Sequence, residues 1–311
     1  MLTDVRGIKV GHFTDTKALT GCTVVLCPPE TKASCEVRGN SPGSRELALL
    51  APEKSAQEIH AILLTGGSAF GLSAADGVMR WLEEHGIGYS TPWAKVPLVP
   101  TAVVFDLNVG SNLVRPDALT GYQACDAATT DAIGEGNVGA GTGTTVGKWK
   151  GFEYCMKGGV GSASTKVADL IVGALAVVNS VGDVVNPDGT VLAGARQPGG
   201  GYFGTTEAYR PLSRGKVLEE TNTTLVVIAT NARFSKLELF RISQRMHDGM
   251  ARAIVPVHTS FDGDVSFALS CGQATADLDL VSELAAQMTA EAIRRAVKMA
   301  RTVTGIPGLN G

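Results

Sequence analysis

Apolar residues in this chain follow two periodicities. Nearly unbroken runs occur at 59–64, 96–107, 170–178 and 181–185, and Thr223 opens another, Thr-Thr-Leu-Val-Val-Ile-Ala-Thr. The runs at 59–64, 170–178 and 181–185 predict strands, and the one from Thr223 a buried strand. Elsewhere the spacing is helical: 69–85 after the turn Thr65-Gly66-Gly67-Ser68, 117–133, and 279–303 through Leu284, Met288, Ala292 and Ala296. Ser235 and Glu238 form a capping box ahead of a helix whose Leu239, Ile242, Met246 and Met250 share one face. Asn186-Pro187-Asp188-Gly189 reads as a turn, and the polar stretch 205–222 as a linker. Strands and helices alternate without a strict βαβ rhythm, which predicts an α/β fold with a mixed or antiparallel sheet layered against helices, in a single domain spanning 1–311.

Charge narrows the function. Lysine and arginine number 27 against 30 acidic residues, a formal net charge of -3, so no basic field exists to attract nucleic acid or anionic lipid. The N-terminal segment lacks the apolar core of a signal peptide and no run is long enough to span a bilayer, which points to the cytoplasm. The six cysteines are scattered without a CxxC pair, so neither a metal site nor any cofactor is expected. Function must therefore reside in a local site, and the concentration of the 38 glycines at 134–147, 157–161 and 197–204 marks loops of close backbone approach.

The junction Asn222-Thr223 carries distinctive chemistry. A threonine hydroxyl is a weak nucleophile until a base removes its proton, and in N-terminal threonine enzymes the residue's own α-amine does so. Inside the chain that nitrogen is an amide. Scission before Thr223 would create the base, and the same hydroxyl can perform the scission by attacking the Asn222 carbonyl to give an ester that water hydrolyses. The plain alternative is an ordinary strand entered by two threonines. Asn222-Thr223-Thr224 is also a glycosylation sequon, set aside for want of a secretion signal.

The runs TNTTLVVIATNARFSKLEL at 221–239 and AIVPVHTSFDGDVSFAL at 253–269 resemble the self-processing family of L-aminopeptidase/D-esterases, β-aminopeptidases and nylon-oligomer hydrolases. Segments 6–15, 63–86 and 139–148 share the likeness, so it spans nearly the whole length. It implies a four-layer αββα sandwich akin to the N-terminal-nucleophile hydrolases, with different strand connectivity. It further implies autocleavage into residues 1–222 and 223–311, and homo-oligomers of such αβ pairs, often tetramers. Thr223 then corresponds to the nucleophile, and Asp262 and Asp264 to the acidic pair of the nylon-oligomer branch. Lys148 corresponds to a lysine that keeps the amine neutral, and Asn179 to an asparagine of the oxyanion hole. Read without the family, the acidic pair is a polar Asp-Gly turn, Lys148 a solvated loop lysine and Asn179 a satisfied bend. Gly66, Gly67 and Ser68 are candidates for the wall of the substrate cleft, with Ser68 alternatively an N-cap. The tyrosine of the aminopeptidase branch has no clear counterpart between Thr142 and Val146.

Other motifs fail on context. The GxGxxG at 134–139 is not followed by a helix pattern, and Gly147-Lys148 lacks the serine or threonine of a phosphate loop. Phe70 excludes a GxSxG elbow at Ser68. His258 reads as a structural histidine near the site. The leading expectation is hydrolysis of N-terminal amide bonds in small peptides or amino-acid amides through an acyl-enzyme. Acyl transfer to an amine, as in the similarly folded ornithine acetyltransferases, and an uncleaved binding protein are the alternatives.

Overall fold

The computed structural model describes residues 1–204 and 222–311, so the linker read at 205–222 lies, apart from Asn222, outside the described residues. Two five-stranded sheets form its centre. The first has the order β1 (Lys9–Asp15), β2 (Thr20–Leu26), β5 (Ala61–Thr65), β8 (Thr101–Val103) and β4 (Ser44–Arg45). The second has the order β11 (Gly159–Val167), β12 (Leu170–Asn179), β15 (Thr223–Ala232), β17 (Val265–Ala274) and β3 (Lys32–Val37). Small pairs complete the set: β6 (Tyr89–Ser90) with β7 (Lys95–Val96), β9 (Thr145–Val146) with β10 (Met156–Lys157), and β13 (Asp183–Val185) between β14 (Val191–Ala193) and β16 (Ile254–Val255). Both large sheets are mixed. β5 runs parallel to β8 and β15 parallel to β17, while the other neighbours are antiparallel.

Helices α1 (Ala74–Glu84) and α2 (Ala118–Asp126) cover the outside of the first sheet, and α3 (Lys236–Ala251) and α4 (Leu278–Lys298) that of the second. The result is the four-layer αββα order. It explains the unbroken apolar runs, because alternate residues of each central strand enter different cores. Leu225, Val227 and Ala229 of β15 pack between the sheets with Leu175 and Val177. Val226 and Ile228 point the other way, onto Leu239, Ile242 and Met246 of α3 and Ile293 of α4. On the first sheet, Ile62 and Leu64 face inward while Leu63 meets Ala74 and Val78 of α1.

Local signals place most boundaries. The Ser235/Glu238 capping box forms and starts α3, and Asp277 caps α4. Three helices are shorter than their spacing predicts. α1 starts at Ala74 because a 3-10 segment occupies Ser68–Ser73, and α2 stops at Asp126, where the Thr129 backbone turns to pair with Val10. α4 stops at Lys298, because Ala300 and Val303 are tied to the final loop. The N-cap reading of Ser68 is incorrect. Gly67 occupies that position with φ 79°, and no side chain caps the turn. Among the described residues no helix is long and apolar enough to cross a membrane.

Helices α1 and α2 meet through glycine. A Cβ on Gly77 would fall 1.7 Å from the Ala118 carbonyl oxygen, and one on Gly121 2.0 Å from that of Ala74. Gly77→Ala is therefore expected to push the pair apart and destabilise the protein by about 3 kcal/mol, read from its urea midpoint. An unchanged midpoint would show that the two helices do not need this contact.

Candidate active site

Thr223 is the first residue of β15, a central strand, and pairs with Asn179 at the last position of β12. On the other flank, Asn222 bridges Asp262 in the turn that leads into β17. The register of one strand thus gathers Asn179, the Asn222-Thr223 bond and the Asp262-Gly263-Asp264 turn. Asn222, Thr223 and Thr224 are all buried. The Thr223 hydroxyl donates to the carbonyl oxygen of Asn222, and the Gly263 N–H donates to that same oxygen at 2.9 Å. This close approach requires glycine at 263. A Cβ there would lie 2.8 Å from Thr223 Oγ1 and 2.7 Å from the Ser41 carbonyl.

The two carboxylates have separate partners. Asp264 Oδ1 accepts the Thr224 N–H at 2.6 Å, and its Oδ2 meets His258 Nδ1 at 2.7 Å. Asp262 Oδ2 accepts the N–H and the hydroxyl of Thr259 at 2.9 and 2.6 Å. Asp264 thus reaches the backbone amide one residue beyond Thr223. Backbone from the first half of the chain clamps the turn, with Arg38 and Gly39 N–H on the Asp264 carbonyl and Ser41 N–H on that of Asp262. Burial pushes the Asp262 carboxyl up to about 6, and the neighbouring Asp264 charge adds to the effect.

Lys148 is buried and not solvated. It follows Gly147, which adopts φ 73°, and its Nζ donates to Asn179 Oδ1 at 2.9 Å and to the Asn179 carbonyl at 3.1 Å. Burial lowers its pKa to about 7 against the opposing pull of Cys155 and Asp262, and Lys157 adds a small further lowering. Asn179 is held at both ends of its amide. Oδ1 accepts the Thr145 N–H at 3.0 Å, and Nδ2 donates to the Phe105 carbonyl at 2.9 Å.

Gly66, Gly67 and Ser68 lie one segment further out. The Ser68 N–H binds the Val104 carbonyl and the Gly67 N–H binds Asp106 Oδ1, so residues 104–106 separate this turn from Asn179. His258 was visible in the His-Thr-x-x-Asp-Gly-Asp run, and the structure ties it to Asp264 in a left-handed backbone conformation, φ 53°. Asp106, Thr145 and Lys157 escaped the sequence reading. A lone aspartate ending an apolar stretch and a lysine in a glycine run give no local signal.

Comparison with known proteins places the chain in a family. The chain is 42% identical to an uncharacterized aminopeptidase of Mycobacterium leprae, over 98% of this chain and 92% of that one. It is 32% identical to the 6-aminohexanoate-oligomer endohydrolase of an Agromyces species, over 89% of this chain and 75% of the relative. Among solved structures, the L-aminopeptidase D-Ala-esterase/amidase of Ochrobactrum anthropi, described as a variant of the Ntn-hydrolase fold, superposes with a TM-score of 0.75. That match is 19% identical, covers 98% of this chain and 88% of the other, and establishes the shared fold. The profile of peptidase family S58 matches residues 1–310, and with relatives this similar along nearly its whole length the chain belongs to that family of hydrolases.

Proposed function

We propose that the chain cuts itself between Asn222 and Thr223 and that the product is an N-terminal-threonine aminopeptidase or amidohydrolase acting on small peptides or amino-acid amides. One observation carries the reading: the Thr223 hydroxyl and the Gly263 N–H converge on the carbonyl of the bond to be cut. Attack of Oγ1 on that carbonyl carbon places negative charge on an oxygen already facing an N–H donor. Collapse breaks the C–N bond, the nitrogen takes up a proton, and water hydrolyses the ester. Residues 1–222 then end in a carboxylate and residues 223–311 begin with an amine.

In the mature site the new α-amine accepts the hydroxyl proton as Oγ1 attacks a substrate amide. The amine half leaves with a proton, and water releases the acyl group. Asn179, which pairs with Thr223 in the sheet, and Lys148, which is bonded to Asn179, are the proposed donors to the developing oxyanion. In its ammonium form Lys148 also opposes a second positive charge on the neighbouring amine, which helps keep that base unprotonated. The relatives' names, an aminopeptidase and an oligomer endohydrolase of 6-aminohexanoate, support amide substrates.

Intact-mass measurement tests the first step. The wild-type chain of 32.2 kDa is expected as two fragments and Thr223→Ala as one, with amide hydrolysis lower by at least about 1000-fold. A single uncut wild-type chain with full activity would defeat the proposal. Gly263→Ala, which crowds Oγ1, should slow self-cleavage by about 100-fold while Thr223→Ser still cleaves.

The charge of Lys148 gives a separate test. Its folded pKa of about 7 lies below the ordinary 10.5, so the folded state binds fewer protons between those values and stability rises with pH across that window. In an uncut Thr223→Ala background, Lys148→Met should therefore gain thermal midpoint relative to its parent as pH falls from about 9 to about 6. A difference independent of pH would mean that Lys148 is not held near neutrality. Asp262 titrates in a lower window, where its raised pKa makes stability fall as pH rises from 3.8 to about 6, so the two effects separate.

A further inference from the structure

Each end of the Asn179 amide is held by a short backbone segment, and each segment adjoins a buried charge that the chemistry above leaves unused. Thr145, whose N–H holds Oδ1, pairs in register with Lys157. The Lys157 side chain is 1% exposed, and its ammonium donates to the carbonyls of Thr142 and Thr144 at 2.9 and 2.7 Å. Phe105, whose carbonyl holds Nδ2, precedes Asp106, which is 2% exposed. Asp106 accepts the Thr20 hydroxyl and the Gly67 N–H, both at 2.7 Å. Glycines are packed against it: a Cβ on Gly66 would fall 2.2 Å from Asp106 Oδ2, and one on Gly143 2.6 Å from Asp106 Cβ.

Among the described residues neither group has an oppositely charged partner within ion-pair distance. Two buried ions bound mainly to neutral groups are costly, and apolar side chains of similar size would serve a core better. What they do provide is direction. A buried ammonium draws two carbonyls of one loop towards a point, and a buried carboxylate gathers a hydroxyl and an N–H from two others.

We infer that Lys157 and Asp106 are positioning residues that fix the two loops holding the Asn179 amide, and so set the oxyanion hole for substrate. The inference rests on the role proposed for Asn179. It does not extend to self-cleavage, where the Gly263 N–H faces the reacting carbonyl.

The test compares Lys157→Met, Asp106→Asn and Asn179→Ala, singly and combined, by intact mass and by kcat and KM on an amino-acid p-nitroanilide. Each Lys157 or Asp106 variant is expected to self-cleave within about 3-fold of wild type and to lose about 30-fold in kcat with KM little changed. In the Asn179→Ala background either change should cost less than about 3-fold more, because the residue it acts through is gone. Losses that multiply in the double variants, an unchanged kcat, or a chain left uncut would overturn the inference while the role of Asn179 stands. Asn179→Ala with wild-type kcat would instead remove the premise and the inference with it. Thr20→Val, which deletes one bond to Asp106 at constant volume, supplies the same comparison if a charge variant does not fold, with an expected loss of about 5-fold that also vanishes in Asn179→Ala.

Discussion

The register of β15 is the constraint on which the candidate site depends. Its first residue stands opposite the last residue of β12, and its parallel neighbour β17 is entered through the acidic turn. A slip of one residue would turn Thr223 to the other face and exchange the two cores served by Leu225 and Val226. Packing of the two cores therefore holds the Asn222-Thr223 bond in place, and the positional accuracy of the candidate site is inherited from the core.

Around that strand end the protein concentrates charge where water is scarce. Lys148, Lys157, Asp106, Asp262 and Asp264 are all buried, and burial displaces the pKa values of the first four toward their neutral forms. Glycine makes the crowding possible. Residues 39, 66, 143, 147 and 263 each bring backbone to within a distance that a single Cβ would obstruct. Buried charge and absent side chains are thus two aspects of one design, a polar centre packed as tightly as the apolar layers beside it.

Much of this was legible in the chain. The run from Thr223 identified a buried strand, and the Ser235/Glu238 pair located the helix after it, because both signals are local. The proximity of Thr223 to Asp262 and Asp264, separated by about forty positions, followed from likeness to a known family, since nothing local encodes a parallel pairing. Lys148 illustrates the limit. Its sequence neighbours suggest a loop lysine in solvent, and only the folding of Val181 and Asn179 over it produces burial. Asp106 and Lys157 were missed for the same reason, as their partners lie on loops remote in sequence. The ends of α2 and α4 were overrun because periodicity continues where tertiary pairing has already taken the backbone away, and the start of α1 because a 3-10 segment carries similar spacing.

The position of β15 in its sheet also decides what the proposed opening of the backbone before it would do to the molecule. Strands β15 and β17 lie side by side in the sheet, with β12 on one flank and β3 on the other, both contributed by residues ahead of 222. A break there would release no domain. The two polypeptides would stay interleaved through ladder hydrogen bonds along both flanks, neither having a complete sheet of its own. They should consequently melt as one body, and separating them would require denaturing both.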